Sequence, residues 1–240
     1  MSTQGVLVKI LMEKLGGKFH VKLGIDLESG RSEEVFKWFL ASILFGARIT
    51  EKIAMNTYQE FERRGVLTPD KLLRTGWDGL VEVLDAGGYV RYDFKTATKL
   101  LEIMKSLKKG YHGNLSDLHS QATDPRDLEY QIKGLGKGIG DVTTNIFLRE
   151  LRGIWEKAGP SPTELGVFAS RNLSLTKLAG RDEKERLEIL SDLKHVWERN
   201  KVEGKGFTDF EAALVRLGRD FCRRGKCKPC PVNEYCKTRK

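Results

Sequence analysis

Four cysteines, Cys222, Cys227, Cys230 and Cys236, stand within fifteen residues of one another, and the 221 residues before them contain none. Their spacing is C-x4-C-x2-C-x5-C. A disulfide framework spreads its cysteines to staple distant loops, so a tight terminal group points instead to metal ligation. Four thiolates at this spacing can hold a [4Fe–4S] cluster or a zinc ion. Zinc ribbons present two separated C-x2-C pairs and only one such pair occurs here, so the cluster is the expectation and zinc the alternative. Arg219, Arg223, Arg224, Lys226, Lys228, Lys237, Arg239 and Lys240 surround the thiols. Held rigid by a bound metal group, Arg223, Arg224 and Lys226 would meet a phosphate backbone. The residues after the last cysteine read equally well as a solvated tail.

A second chemical signal is the stretch GLGKGIGDVTTNIFLREL, from Gly134 to Leu151, which places glycine at every second position and then turns into a good helix. It is neither a Walker loop, which needs G-x-x-x-x-G-K-[ST], nor a dinucleotide fingerprint, which needs G-x-G-x-x-G after a strand. The pattern fits a helix–hairpin–helix, with DLEYQIKGL as first helix, GKGIG (Gly136 to Gly140) as hairpin and DVTTNIFLREL as second helix. Gly138 and Gly140 can leave backbone N–H groups open to a phosphate oxygen, and Ile139 between them can pack between the helices. Lys137 adds charge, and Thr143 lies in the first turn of a helix whose positive end faces the same anion. Such contacts give affinity without reading sequence. A tight turn that merely needs positive φ is the plainer alternative.

The elements that must carry these groups read as helices nearly throughout. Val35, Phe36, Phe39, Leu40, Ile43 and Leu44 follow helical spacing, with Ser32 as N-cap and Glu33 and Glu34 in the first turn; this is the most apolar helix and is expected at the centre. Thr50 starts the next helix, and TPDKLL (Thr68 to Leu73) combines a cap with proline at the first helical position. Trp77 to Leu84 reads as a short helix closed by Gly87 and Gly88, and Asp93 as the cap of another. YHGN, with His112 and Asn114, reads as a turn before a further short helix. After the AGPSP break (Ala158 to Pro162), helices are expected near 162–172, 181–200 and 208–218, the last capped by Thr208 or Asp209. FHVKLGIDL near the start alternates weakly and is expected to be extended. The fold class is all-α.

Together these segments resemble the endonuclease III superfamily of helix–hairpin–helix DNA glycosylases. GKGIGDVTTNIFL is similar to that family's hairpin, FKWFLASILFGARITEKIAMNTYQEF to its early core helix, and GGYVRYDFKTATKLLEIMKSL to the block that follows. The family's cysteine loop is C-x6-C-x2-C-x5-C, so the last two intervals match and the first is two residues shorter. The resemblance implies a two-lobed all-α fold with DNA bound between the lobes and a C-terminal iron–sulfur loop. One lobe would span roughly 32–153 and include the hairpin at 134–151. The other would combine 1–31 with 154–221, leaving 222–236 as the cysteine loop. It implies a base-excision repair protein that extrudes a damaged base from double-stranded DNA. Arg48 stands where the family often carries a residue that fills the vacated stack. The family's lyase lysine falls on Val142, so lysine-based lyase chemistry is not supported. Its catalytic carboxylate falls on Gly159 or near Pro162. Glu164, the one acid between Glu156 and Asp182, is the candidate replacement, with Asp141 a remoter one. A catalytically inactive DNA-binding protein on the same scaffold is the alternative.

Whole-chain properties agree with that partner. The 240 residues carry a formal charge of +9, which favours a polyanion. No apolar run approaches the roughly 18 residues that span a membrane. The N-terminus lacks a signal-peptide layout. A cytoplasmic, nucleoid-associated monomer is the expectation.

Overall fold

In a computed structural model that describes residues 2–238, the chain is all-helical, with eleven α-helices and no strand among the described residues. Arg239 and Lys240, counted above with the basic residues around the cysteines, lie outside the described residues. The helices are α1 (Thr3–Leu15), α2 (Ser32–Phe45), α3 (Glu51–Arg63), α4 (Pro69–Ala86), α5 (Asp93–Tyr111), α6 (Leu115–Gln121), α7 (Pro125–Gly134), α8 (Asp141–Glu150), α9 (Glu164–Asn172), α10 (Glu183–Arg199) and α11 (Phe207–Leu217). They form two compact units. One is His20–Pro160, and the other joins Met1–Phe19 to Ser161–Lys240. Among the described residues, no helix is long and apolar enough to cross a membrane.

The 20–160 unit is built around α2. Trp38, Phe39, Leu40 and Leu44 are fully buried, because nearly every side of this helix is apolar. The Trp38 indole N–H donates to the Phe147 carbonyl at 3.0 Å, and Phe39 meets the Phe147 ring edge-on at 5.1 Å, which fixes α8 against α2. A second tie is a buried polar pair. Glu150 Oε2 lies 2.6 Å from His20 Nδ1 and accepts the His20 backbone N–H at 2.8 Å. The C-terminal half of hairpin helix α8 is therefore held twice.

Several local features differ from the sequence expectations for identifiable reasons. FHVKLGIDL is not extended. It forms two 3₁₀ turns, Val21–Leu23 and Leu27–Ser29, each closed by a glycine in the left-handed region, Gly24 at φ 69° and Gly30 at φ 65°. Ser32 is the first helical residue rather than the cap, which is Arg31. Asp93 is likewise inside its helix, where Oδ1 accepts the Phe94 N–H at 2.7 Å. For α11 the cap is Gly206, and Asp209 reaches back to accept its N–H at 2.8 Å. Trp77 to Ala86 continues α4 across a break at Gly76, whose φ of 70° and ψ of −178° are not helical. Thr50 and Thr68 cap α3 and α4 as their residue types require.

The other unit wraps α1, α9 and α10 around α11. Phe210, Leu214, Leu217, Trp197, Leu193, Val8 and Leu11 form its core. Residue Gly218 closes α11, and a β-carbon there would lie 2.2 Å from the Leu165 carbonyl oxygen, so the close approach of α9 requires glycine. Beyond it the chain makes one wide turn, Gly218–Cys222, directly into the cysteines. Arg216 is buried, with its guanidinium 3.8 Å over the Phe19 ring, and donates to the carbonyls of Leu15, the last residue of α1, and of Gly17 just after it.

Candidate nucleic-acid interface and thiol cluster

The hairpin expected from the glycine spacing lies between α7 and α8. Asp124 caps α7 by accepting the N–H groups of Arg126 and Asp127, with Pro125 at its first position. The loop then turns on Gly138, at φ 106°, a conformation L side chains rarely adopt. Ile139 is buried, and its N–H is taken by the Gly136 carbonyl at 3.3 Å. Among the described residues, the exposed N–H groups of Gly138 and Gly140 have no hydrogen-bond partner. Gly140 is the N-cap of α8 and supplies no side-chain acceptor to its first turn.

Helix α5 backs this loop. A β-carbon on Gly136 would meet Ile103 Cγ1 at 2.8 Å, so the glycine lets α5 seat directly under the hairpin. One turn earlier, the Lys99 side chain lies over Gly138: its Cδ, Cε and Nζ are 2.7, 2.8 and 3.0 Å from where a β-carbon would stand. Lys137 is exposed at the tip. Thr143, expected at the anion, has its side chain turned inward, so only its backbone faces the helix start. Its Oγ1 would lie 2.1 Å from a β-carbon on Gly46. That contact also places Arg48. It is exposed and two residues after Gly46, so about 7 Å of chain at most separates it from the glycine that packs on the first turn of α8.

The carboxylate of Asp141 is not a cap. It is 92% exposed and pairs with Lys133 Nζ at 2.6 Å. Hydrogen bonding to Asp141, against the opposing effect of partial burial, lifts the Lys133 pKa above the ordinary lysine value. A groove of about 440 Å³ runs beside the pair between α5 and α7, edged by Tyr111, Tyr130 and Gln131. Val142, one residue after Asp141, is an exposed aliphatic residue. His112 caps α5 in the left-handed region, and Asn114 caps α6 by accepting the Ser116 N–H at 2.9 Å; both roles are those of a turn.

In the other unit, Glu164 is the first residue of α9, 88% exposed and 3.7 Å from Arg186. The four cysteines are free thiols. Cys222 and Cys230 pack against the core formed by α1 and α9–α11. Burial is the main cause that raises the Cys222 thiol, and the other three thiols push it further, while a hydrogen bond from the Asn172 side chain opposes them. Burial also raises Cys230, with Cys236 and Cys227 adding to it. The four sense one another, although among the described residues no three His, Cys, Asp or Glu side chains form a ready ligand set for a single metal ion. By donor type, four thiols within fifteen residues, two of them seated against the core, are ligands that a soft metal takes. Around them Arg223, Arg224, Lys226 and Lys228 are exposed. Arg219 is not available in the same way, since two bonds of 2.8 Å tie it to Asp220.

The sequence reading missed Lys99 and Lys133. Neither carries a motif, and each is brought to the hairpin by a neighbouring helix. No model of a known protein family matches this chain, and no curated protein matches it.

Proposed function

We propose that the protein binds double-stranded DNA as a base-excision repair protein of the helix–hairpin–helix glycosylase type. The observation that carries this reading is the hairpin, where two unpartnered glycine amides precede an uncapped helix and Lys137 stands at the tip. Those amides take phosphate oxygens of one strand, and the start of α8 contributes its dipole. Arg223, Arg224 and Lys226 add cations from the cysteine loop. Arg48 occupies the space left by an extruded base. Cys222, Cys227, Cys230 and Cys236 hold a [4Fe–4S] cluster, which supplies a rigid cross-link for the basic loop; zinc is the alternative that metal analysis separates. Base release, where it occurs, is hydrolytic, since Val142 offers no amine.

A second reading, a DNA-binding protein that releases no base, is favoured by one specific observation. Both candidate acids, Glu164 and Asp141, are exposed and ion-paired, an environment unlike that of a general acid or base tuned by burial. A single-turnover assay on duplexes, each with one damaged, mismatched or deaminated base, decides between the two. Products are read with and without hot alkali, and binding is measured in parallel. Base release that needs alkali for strand scission supports the glycosylase, and Glu164→Gln then abolishes it. Salt-dependent binding without release from any substrate supports the second reading. No salt-dependent binding rejects both.

A further inference from the structure

Among the described residues, the lysine that overhangs the hairpin glycine has no counter-charge. Lys99 is half-buried on α5, one turn before the Ile103 that seals the loop beneath Gly136. Among the described residues its ammonium takes part in no ion pair or hydrogen bond. Other cations of the same unit do find carboxylates: Lys133 takes Asp141, Lys22 takes Glu51 and Lys37 takes Glu34. Here the aliphatic stem is packed against Gly138, which directs the charge to the loop carrying two free amides. An ammonium and two backbone N–H groups are all donors. Brought together they call for a shared acceptor, and the acceptor that matches three donors and one positive charge is a phosphodiester oxygen. The nearby acids do not supply it, because Asp141 is held by Lys133 and Glu129 lies 3.7 Å from the same lysine.

We infer that Lys99 is a phosphate-binding residue of the hairpin, contacting the same DNA phosphate as the Gly138 amide. The inference rests on the DNA-binding reading above and extends it to a residue on a different element. It also gives Gly138 a second constraint besides its φ, since any side chain there would displace the lysine.

Counterion release tests this directly. Affinity for a short undamaged duplex is measured for wild type, Lys99→Gln, Lys99→Arg and Gly138→Val across a salt series, with thermal unfolding recorded for each. Removing one phosphate contact lowers the slope of log affinity against log salt by about 0.9. Lys99→Gln is expected to show that loss with an unchanged unfolding midpoint, and Lys99→Arg to restore the wild-type slope. A packing role alone would not move the slope. If the Gln variant keeps the wild-type slope or binds more tightly while Gly138→Val loses binding, Lys99 merely covers the loop: the inference fails and the hairpin reading stands. If the wild type itself shows no salt-dependent binding, both fall.

Discussion

The carboxylate of Asp141 and the ammonium of Lys133 lie 2.6 Å apart beside a loop read as an anion cradle. The pair cancels a charge that would otherwise oppose a phosphate, and because it is exposed its own contribution to folding is small. Its effect should therefore appear in binding. Asp141→Asn is expected to raise affinity for duplex DNA by up to about fivefold, and Lys133→Gln, which removes a cation and uncovers Asp141, to lower it by at least as much. Titrations at low salt check both. The His20–Glu150 pair is the opposite case, fully enclosed. Burial alone would raise the Glu150 pKa. The His20 hydrogen bond, the charges of Arg149 and His20, and the His20 amide outweigh it, so the carboxyl sits below the ordinary glutamate value of 4.5. A group depressed in the folded state contributes stability that is complete above 4.5 and is lost as pH falls through its lower folded value. Glu150→Gln is expected to cost about 3 kcal/mol near neutrality. It should also flatten the fall in urea midpoint below pH 4.5; an equally steep fall in the variant would count against the assignment.

At the scale of elements, glycines decide how closely helices approach. Gly138→Val must place a β-branched residue at φ 106°, at a cost of about 1–2 kcal/mol. It must also expel Lys99. Its affinity for DNA is expected to drop roughly tenfold, and equally for all sequences, since only phosphate contacts are lost. Gly218→Ala tests a different crossing, that of α9 and α11. Its β-carbon would stand 2.2 Å from a backbone oxygen, which cannot swing aside, so an unfolding cost of about 1–3 kcal/mol is expected. These contrasts explain what could be read in the sequence. Thr50, Thr68 and the spacing of α2 are local signals, and the structure places those elements where the residue types require. The hairpin's glycines are local too, and Gly138 has the positive φ such a turn needs. Arg31 in place of Ser32, and Gly206 in place of Thr208, are shifts of one or two residues at helix starts, where several residues can serve as caps. Lys99 and Lys133 were invisible because their relation to the hairpin depends on how α5 and α7 pack. Helix α1, capped by Ser2 through the Gly5 N–H, was overlooked although its apolar residues pair with α11.

For the molecule as a whole, the cysteine loop makes a composition-level prediction. Protein prepared without oxygen should carry about four irons per chain and absorb visible light, with Cys230→Ser losing both. One zinc per colourless chain would replace the cluster by the alternative ligand. The end of the loop is also tied to its own unit, since the Asn172 carbonyl accepts the Lys237 N–H at 2.9 Å. The division of the chain has a consequence in time. The 20–160 unit is continuous and complete once its last residue leaves the ribosome, whereas the other unit needs segments from either side of it. Helix α1 is made before the 20–160 unit, with Leu7, Val8, Leu11 and Met12 awaiting α11, which begins at Phe207. At roughly 5–20 residues per second that wait lasts about 10–40 s. In the last part of it, once residue 160 is out, a finished unit carries an unpaired apolar helix on its N-terminal side. A nascent chain arrested before α11 should thus expose α1 to protease and to chaperones while 20–160 resists digestion.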